Sequence, residues 1–468
     1  MFAAAAALRV AAAVAYWPAL FAPDSRAYLG LAFFGSPVSF QPDRPSGYPL
    51  LIRALMVPGH QLATVTLAQH LAGLLAGTLV YLTLLALGAR RWLATVAAAL
   101  VLLDGYAIAL EQYVMSDVLF GAVLVASAWA LLRDSGTMSE LIVSGALLGV
   151  AATLRSAGLF AIPAWLAYLV WAKRGARSLA VWSIALLAPL VGYAALQSST
   201  ARGESVLDTS SGWFLYGRVA GFANCRDRDV PIASRFLCPR GRERRKSVAF
   251  YLWGPSPAAR AFPGGPDQLD GQANNLLRDF ALGVIRDQPL EYARAVGSDL
   301  LSLAENERGV GQSPDPLLFP KRIRFGANDR SLSTLHRRDF PDSPWPRAGF
   351  PASLLRSYQA VFRTQGWLLA LLGLASLAAF VMPARHLERR RAELLLLTGG
   401  GGLIVLGSVA TTGGLLRYAM PTIPLLAAGG ALAIDALLSL WRRPGARHRP
   451  RGRFPRDCRI RTATWCRS

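Results

Sequence analysis

Long apolar runs, repeated along the whole chain, restrict the fold of this 468-residue sequence more than any other feature. The runs lie at residues 2–21, 62–87, 92–110, 118–132, 140–154, 157–172, 178–197, 365–383, 393–412 and 418–441. A helix needs roughly 20 mainly apolar residues to cross a bilayer, where no water can satisfy its backbone groups. Only 17% of the residues are charged, against roughly 25% in soluble domains. The sequence therefore predicts an all-α, polytopic membrane protein with about ten transmembrane helices.

The distribution of basic residues predicts the orientation in the membrane. The chain has 50 Lys and Arg against 28 Asp and Glu, a formal net charge of +22. Such an excess can indicate a nucleic-acid partner, but here the basic residues lie mostly in short loops on one side. These clusters are at residues 90–91, 133, 173–177, 385–391 and 442 onward. We therefore expect a multi-pass protein of the cell membrane with both termini in the cytoplasm and no nucleic-acid partner.

The same pattern divides the chain into four segments. We expect residues 1–197 to form a catalytic transmembrane module that includes the first outer loop. A long extracytoplasmic segment, C-terminal transmembrane helices and a basic cytoplasmic tail follow at residues 198–364, 365–441 and 442–468. In the outer segment, apolar residues at helical spacing between Asn274 and Leu303 predict one or two helices. They could form the core of a small domain or lie on the membrane surface.

The four cysteines form two pairs. Cys225 and Cys238 lie in the outer segment, where an oxidising compartment would let them form a disulfide. A zinc site is the alternative, but neither a CxxC motif nor a nearby histidine supports it. Cys458 and Cys466 lie in the basic tail, where we expect free thiols. The sequence therefore predicts a disulfide outside and no metal site.

Acidic, basic and tyrosine side chains recur at the ends of the predicted spans, all on the outer face. A carboxylate there can accept a proton from an attacking hydroxyl, although a solvated loop acid is the ordinary interpretation. An arginine between two apolar helices is costly unless an anion or an acid pairs with it. A phosphate group would provide such an anion. The candidates are Asp24, Tyr48, Glu111, Asp117, Arg155, Arg417 and Tyr418.

The order of these motifs resembles the GT-C glycosyltransferases. It is most similar to their lipid-carrier-dependent family, which includes protein O-mannosyltransferases and the aminoarabinose transferase of lipid A. The motifs are an acid after the first span (Asp24), an R-P-x-G-Y-P turn from Arg44, an M-S-D turn ending at Asp117, an arginine at a helix junction (Arg155), and R-Y-x-x-P-x-x-P from Arg417. The resemblance covers the first seven helices and the last span.

The resemblance implies a glycosyltransferase that takes a sugar from a polyprenyl-phosphate donor on the extracytoplasmic face. The acceptor would be a glycan, a lipid or a protein. Asp24 would be the general base of an inverting reaction, and Arg155, Arg417 and Tyr418 would hold the donor phosphate. Many members have two adjacent acids in the first loop, whereas Asp24 is followed by Ser25. The implied mechanism requires no cofactor, and no metal is indicated.

Two other classes of function remain open from the sequence. A transporter or flippase would predict helices broken near the bilayer midplane and symmetry between two halves. A polysaccharide polymerase or ligase would use arginines and a histidine of the outer segment, and His336, Arg337 and Arg338 fit that description. The sequence has no GxxxxGK[ST] motif, which argues against an ATP-driven pump.

Overall fold

A computed structural model shows that the protein is built from α-helices. It describes residues 1–33, 44–57, 59–133, 137–200, 210–225, 232–267, 270–304, 318–323, 334, 336–383, 385–414 and 416–441. Those residues contain helices and turns but no β-strand. Each of the ten apolar runs corresponds to a helix or to consecutive helices, which confirms the all-α fold. The tail predicted at residues 442–468, with Cys458 and Cys466, lies outside the described residues.

The N-terminal module begins with one apolar helix, two short helices of the first outer loop, and then a series of longer apolar helices. Their bounds are α1 Phe2–Ala15, α2 Pro23–Phe33, α3 Gly47–Leu55, α4 Leu62–Ala86, α5 Arg91–Leu102, α6 Gly105–Gln112, α7 Asp117–Leu132, α8 Met138–Leu154, α9 Ile162–Trp171 and α10 Ala176–Thr200. A 3₁₀ segment at Ser156–Ala161 joins α8 to α9.

The outer domain and the C-terminal helices follow. The outer helices are α11 Ser211–Ala220, α12 Val248–Trp253, α13 Pro257–Ala261, α14 Gly271–Asp287, α15 Pro289–Ala304 and α16 Ala352–Val361. The C-terminal helices are α17 Gly366–Val381, α18 Arg385–Leu394, α19 Gly400–Thr412, α20 Leu416–Ala419 and α21 Ile423–Trp441. A π-helical turn at Leu395–Gly399 joins α18 to α19.

By length and apolar composition, four helical stretches among the described residues can cross a bilayer. They are Leu62–Ala86, Ala176–Ser198, Arg390–Thr412 and Leu416–Leu440. Two bent pairs raise the number to six if each pair is one span: α5 with α6, bent by 43°, and α16 with α17, bent by 42°. Other apolar helices, such as α1, α7 and α8, are shorter. The predicted number of ten crossings is therefore not confirmed.

The break between α5 and α6 is the place where α16 docks. Asp104 caps α6 by accepting a hydrogen bond from Ala107 N at 2.6 Å. The Tyr358 hydroxyl donates to Leu103 O at 2.5 Å, and Gln359 Nε2 donates to Gly105 O at 2.9 Å. The backbone groups freed by the break are thus bonded to an outer helix, as buried backbone groups require.

The outer domain has its own apolar core. Trp213 and Tyr216 of α11 pack with Tyr251 of α12 and with Leu277 and Phe280 of α14, all of them buried. The residues between Asn274 and Leu303 therefore form two helices, and α14 belongs to a domain core rather than to the membrane surface. A disulfide joins Cys225 to Cys238 at the edge of this core.

Candidate active site

Four charged side chains converge from helix ends that are far apart in the sequence. Arg417 Nη1 lies 2.8 Å from Asp24 Oδ2. Arg155 Nη1 donates a short hydrogen bond to Asp117 Oδ1. Arg417 Nε lies 3.9 Å from that same Asp117 oxygen. One continuous set of ion pairs thus contains the predicted base, the predicted acid of the M-S-D turn and the two arginines among the predicted phosphate ligands.

Local helix geometry explains how each charge reaches the cluster. Asp24 and Asp117 lie in the first turns of α2 and α7, where the positive end of the helix dipole stabilises a carboxylate. Arg155 caps the C-terminus of α8 with an extended backbone, and a cation is favourable at that end. Arg417 lies in the short helix α20, directly before the last long helix. The helix ends therefore bring opposite charges together.

Arg44 is a member of the cluster that the sequence did not single out as a ligand. Its Nη2 lies 3.1 Å from Asp24 Oδ1, and its guanidinium lies 5.8 Å from the centre of the Tyr28 ring. Gly47 lets this turn pack against the end of α8, because a Cβ there would lie 2.4 Å from Thr153 O. The sequence signal for Arg44 was the R-P-S-G-Y-P turn, because its two prolines and its glycine fix the backbone turn that carries this arginine.

The cluster carries more positive than negative charge. Arg44, Arg155 and Arg417 face Asp24 and Asp117, and each of these five side chains is less than one-fifth exposed. Burial raises the pKa of Asp24, but the charges of Arg417 and Arg44 outweigh burial and lower it to about 2. Counted over the described residues, these five side chains have one positive charge in excess, and a partly buried excess of this kind favours binding of an anion. The arrangement is therefore suited to one more anionic group.

Tyr418 lies beneath two of the arginines. The centre of its ring is 5.4 Å from Arg155 Cζ and 5.3 Å from Arg417 Cζ. An aromatic face at this distance attracts a guanidinium and limits its rotation. Tyr418 therefore orients both cations, as a positioning residue of a phosphate site would.

Tyr48 packs against a neighbour of the cluster and does not contact its charged groups. It is fully buried, its hydroxyl donates to Gln69 Oε1 at 2.6 Å, and its ring contacts Tyr28 edge to face with centroids 4.9 Å apart. The Tyr28 hydroxyl lies 3.1 Å from Ser116 Oγ, next to Asp117. Tyr48 is thus separated by Tyr28 from the site that the sequence predicted it to join.

Glu111 belongs to a different buried network. Its Oε1 accepts a hydrogen bond from Arg9 Nη2 at 2.6 Å, and its Oε2 lies 2.8 Å from His70 Nδ1. The second nitrogen of His70 lies 2.9 Å from Gln112 Oε1. The charge of Arg9 on α1 is thus paired with an acid on α6. Glu111 therefore neutralises Arg9, whereas Asp117 faces the arginine cluster.

The turn before Arg417 is held by the outer domain. The carboxylate of Asp299 on α15 accepts hydrogen bonds from Arg218 Nη1 at 2.7 Å and from Gly414 N at 3.1 Å. Gly413 has φ +104°, in a region that favours glycine. A Cβ at Gly414 would lie 2.7 Å from Asp299 Cβ. The close approach of α15 to Gly414 thus helps to position the turn that leads to Arg417.

An apolar cavity of about 50 Å³ adjoins the cluster at Asp117. Leu100, Gly121, Met420 and Pro424 are among the residues that line it, so α5, α7 and the last helices contribute to its walls. Asp104 and Glu111 line it as well, so apolar side chains and three acids surround this small cavity next to the cluster.

His336 does not join the cluster. It is buried, its ring lies 5.0 Å from that of Trp345, and burial lowers its pKa. Among the described residues, no group of three or more His, Cys, Asp or Glu side chains could hold a metal ion.

The fold and the site define a polytopic helical protein with a cluster of ion-paired arginines and aspartates at one end of its helices. Residues 43–197 match the family model described as dolichyl-phosphate-mannose-protein mannosyltransferase. This match confirms the resemblance to lipid-carrier-dependent glycosyltransferases over that part of the chain. It includes Arg44, Asp117 and Arg155, while Asp24 and Arg417 lie outside it. No curated protein matches the sequence significantly.

Solved structures with similar helical arrangements include ArnT from Cupriavidus metallidurans in the apo state. It is 16% identical with a TM-score of 0.37, over 93% of this chain and 76% of ArnT. For ArnT bound to undecaprenyl phosphate the values are 17%, 0.36, 93% and 77%. The archaeal oligosaccharyltransferase AglB from Archaeoglobus fulgidus is 14% identical with a TM-score of 0.37, over 96% of this chain and 52% of AglB. At these values the likeness does not assign a function.

Proposed function

We propose that this protein is a membrane glycosyltransferase that transfers a sugar from a polyprenyl-phosphate donor to an acceptor on the extracytoplasmic face. The observation that carries the proposal is the cluster of Asp24, Asp117, Arg44, Arg155 and Arg417, which has one positive charge in excess. Guanidinium groups bind phosphate oxygens through paired, charge-assisted hydrogen bonds, so three arginines in one cluster suit a phosphate group. The family match of residues 43–197 supports the same class of donor.

The three arginines would bind the donor phosphate and stabilise the charge that develops on it. As the bond between the anomeric carbon and the phosphate oxygen breaks, the electron pair leaves with the polyprenyl phosphate. The second pKa of a phosphate monoester is near 6, so this group leaves without being protonated. The acceptor hydroxyl attacks the opposite face of the anomeric carbon, and its proton passes to Asp24. The product then has inverted configuration.

Donor binding would also free the Asp24 carboxylate from its arginine partners. The two oxygens of Asp24 are held by Arg44 at 3.1 Å and by Arg417 at 2.8 Å. A donor phosphate competes for the same guanidinium groups, because it offers them more oxygen acceptors. One Asp24 oxygen then becomes available to the acceptor hydroxyl. The proton acceptor is thus available only when there is a sugar to transfer.

The test compares the parent protein with Asp24→Asn, using radiolabelled polyprenyl-phosphate sugars in proteoliposomes. We expect turnover to fall by roughly 10²- to 10⁴-fold, the usual contribution of a general base. Donor binding should be retained or improved, because a competing carboxylate is removed. Asp435→Asn is the matched control, since Asp435 pairs with Arg90 at the other end of the helices, with Oδ1 and Nε 3.4 Å apart.

Equal turnover in Asp24→Asn and the parent would remove Asp24 from the mechanism and leave the transferase class intact. Label that crosses the vesicle membrane while remaining on its carrier, with no transfer by the parent for any sugar, would instead identify a flippase.

A further inference from the structure

The outer domain presents a basic surface that the proposed reaction does not use. Residues 235–246 contain one acidic residue, Glu243. Its Oε1 is bound by Arg260 Nη1 at 2.6 Å. The exposed basic side chains of the stretch, which we call the basic surface, are Arg235, Arg240, Arg242, Arg244, Arg245 and Lys246. The positive charge of this surface is therefore largely uncompensated within the stretch.

The backbone beneath the basic surface is anchored to the domain core. One anchor is the disulfide, and the others are hydrogen bonds from two buried tyrosines and from one backbone amide. They are Cys225–Cys238, the Tyr216 hydroxyl to Leu237 O at 2.9 Å, the Tyr251 hydroxyl to Glu243 O at 2.6 Å, and Arg245 N to Gly221 O at 3.1 Å. A surface held in this way loses little conformational entropy when it binds a ligand.

The basic surface is concave at one end. A cavity of about 410 Å³ is lined there by Phe236, Arg240, Arg242 and the ion pair of Arg260 with Glu243, so arginines outnumber the one acid in its lining. The Phe236 side chain is 47% exposed, so its ring presents an apolar face to the cavity. Guanidinium groups bind carboxylates and phosphates through paired hydrogen bonds. The cavity therefore offers an anion site next to an apolar face on which the C–H groups of a sugar ring can pack.

The contacts of the domain indicate which side this surface faces. The domain packs on the membrane helices mainly through α11 and α15, which contact α17 and α19. The 3₁₀ turn at Ile232–Leu237, which leads into the basic surface, packs on α13 and α14 of the domain itself. In the part of the chain that the structure describes, the turn that leads into the basic surface thus packs within the domain, whereas α11 and α15 dock on the membrane helices, which favours a soluble polymer over lipid headgroups.

We propose that the basic surface binds an acidic glycan, a polymer segment whose sugars carry carboxylate or phosphate groups. This binding goes beyond the transfer reaction and does not require it. A polymer held there would remain near the membrane while the site among the helices carries out successive transfers.

Binding can be measured with the full-length protein in nanodiscs of phosphatidylcholine, which carries no net charge. The probe is fluorescently labelled polygalacturonate, and neutral dextran of similar size is the comparison. The variant carries Arg240→Glu and Arg242→Glu, and the matched control carries Arg294→Glu and Arg347→Glu, two other exposed arginines with the same change of charge. Thermal unfolding of each variant verifies folding.

We expect the parent to bind polygalacturonate but not dextran, with affinity that falls as salt screens the charges. The Arg240 and Arg242 variant should bind at least about tenfold more weakly, since it loses two charge-assisted contacts and gains two repulsions. The Arg294 and Arg347 control should bind like the parent. Equal weakening in both variants would show a general charge effect and overturn the proposal. Binding to vesicles of anionic lipid, with none to polygalacturonate, would also overturn it and identify the surface as a lipid contact.

Discussion

At the scale of single residues, the charge state of Asp24 is determined by its two arginine partners. Burial alone would raise the pKa of this carboxyl, yet the charges of Arg417 and Arg44 lower it to about 2. A carboxyl whose pKa is depressed in the folded state stabilises the fold at pH values above its ordinary range, and this stability is lost as the pH falls toward the lowered value. The carboxylate therefore stays ionised at neutral and mildly acidic pH.

This charge state predicts a pH profile. The kcat/KM for the donor should show no acid-side decrease from Asp24 between about pH 5 and pH 8, because the base is already ionised there. In Arg44→Gln one of the two stabilising charges is lost, so the pKa of Asp24 rises and the acid limb moves to higher pH. Steady-state rates between about pH 4 and pH 8 measure both profiles.

Arg294→Gln is the control for the loss of an exposed arginine, and its profile should match that of the parent. Superimposable profiles for Arg44→Gln and the parent would show that Arg44 does not set the charge state of Asp24.

At the scale of the helices, α15 determines the position of the turn that carries Arg417. Its Asp299 carboxylate binds both Arg218 and Gly414 N, and the Tyr292 hydroxyl of the same helix donates to Ala410 O at 3.0 Å. The outer domain is thus coupled to the active site through one helix and one glycine turn. The apolar pattern predicted α15, but its contact with Gly414 depends on how the helix is rotated and docked.

Gly414→Ala should lower kcat/KM for the donor by about ten- to a hundredfold, since misplacing a binding group by about 1 Å can cost up to a hundredfold. The added Cβ would lie 2.7 Å from Asp299 Cβ, so the turn and Arg417 must shift. The main change should be in the KM for the donor.

Gly297→Ala is the matched control, because a Cβ at Gly297 on α15 meets nothing within 4 Å. Its kinetics should equal those of the parent. A Gly414→Ala enzyme with unchanged KM, or one whose activity falls only in step with its thermal stability, would refute a positioning role for the turn.

At the scale of the whole molecule, the active-site cluster and the basic loops define two opposite faces. Positive charge in short loops predicts that the face with Arg91 is cytoplasmic and the face with α15 is extracytoplasmic. In a variant lacking Cys458 and Cys466, we expect Arg294→Cys to react with a membrane-impermeant maleimide in intact cells. Arg91→Cys should react only after the membrane is opened. The reverse labelling would invert the topology and move the site to the cytoplasmic face.

The sequence by itself determined the all-α fold, the bounds of most of the long apolar helices to within a few residues and most members of the cluster. Apolar length and polar residues at helix ends are local properties, so they can be read without knowing which helices are neighbours. For that reason Asp24, Asp117, Arg155, Arg417 and Tyr418 were found as candidates on one face.

Only the tertiary structure decided which of these charges meet. Arg44 joins Asp24, whereas Glu111, six residues before Asp117, pairs with Arg9 and His70. The direction of a side chain around its helix and the choice of neighbouring helix depend on packing across the whole bundle, and a buried charge takes the partner that packing brings within reach. An excess of one cation at the end of the bundle is therefore a property of the assembled helices.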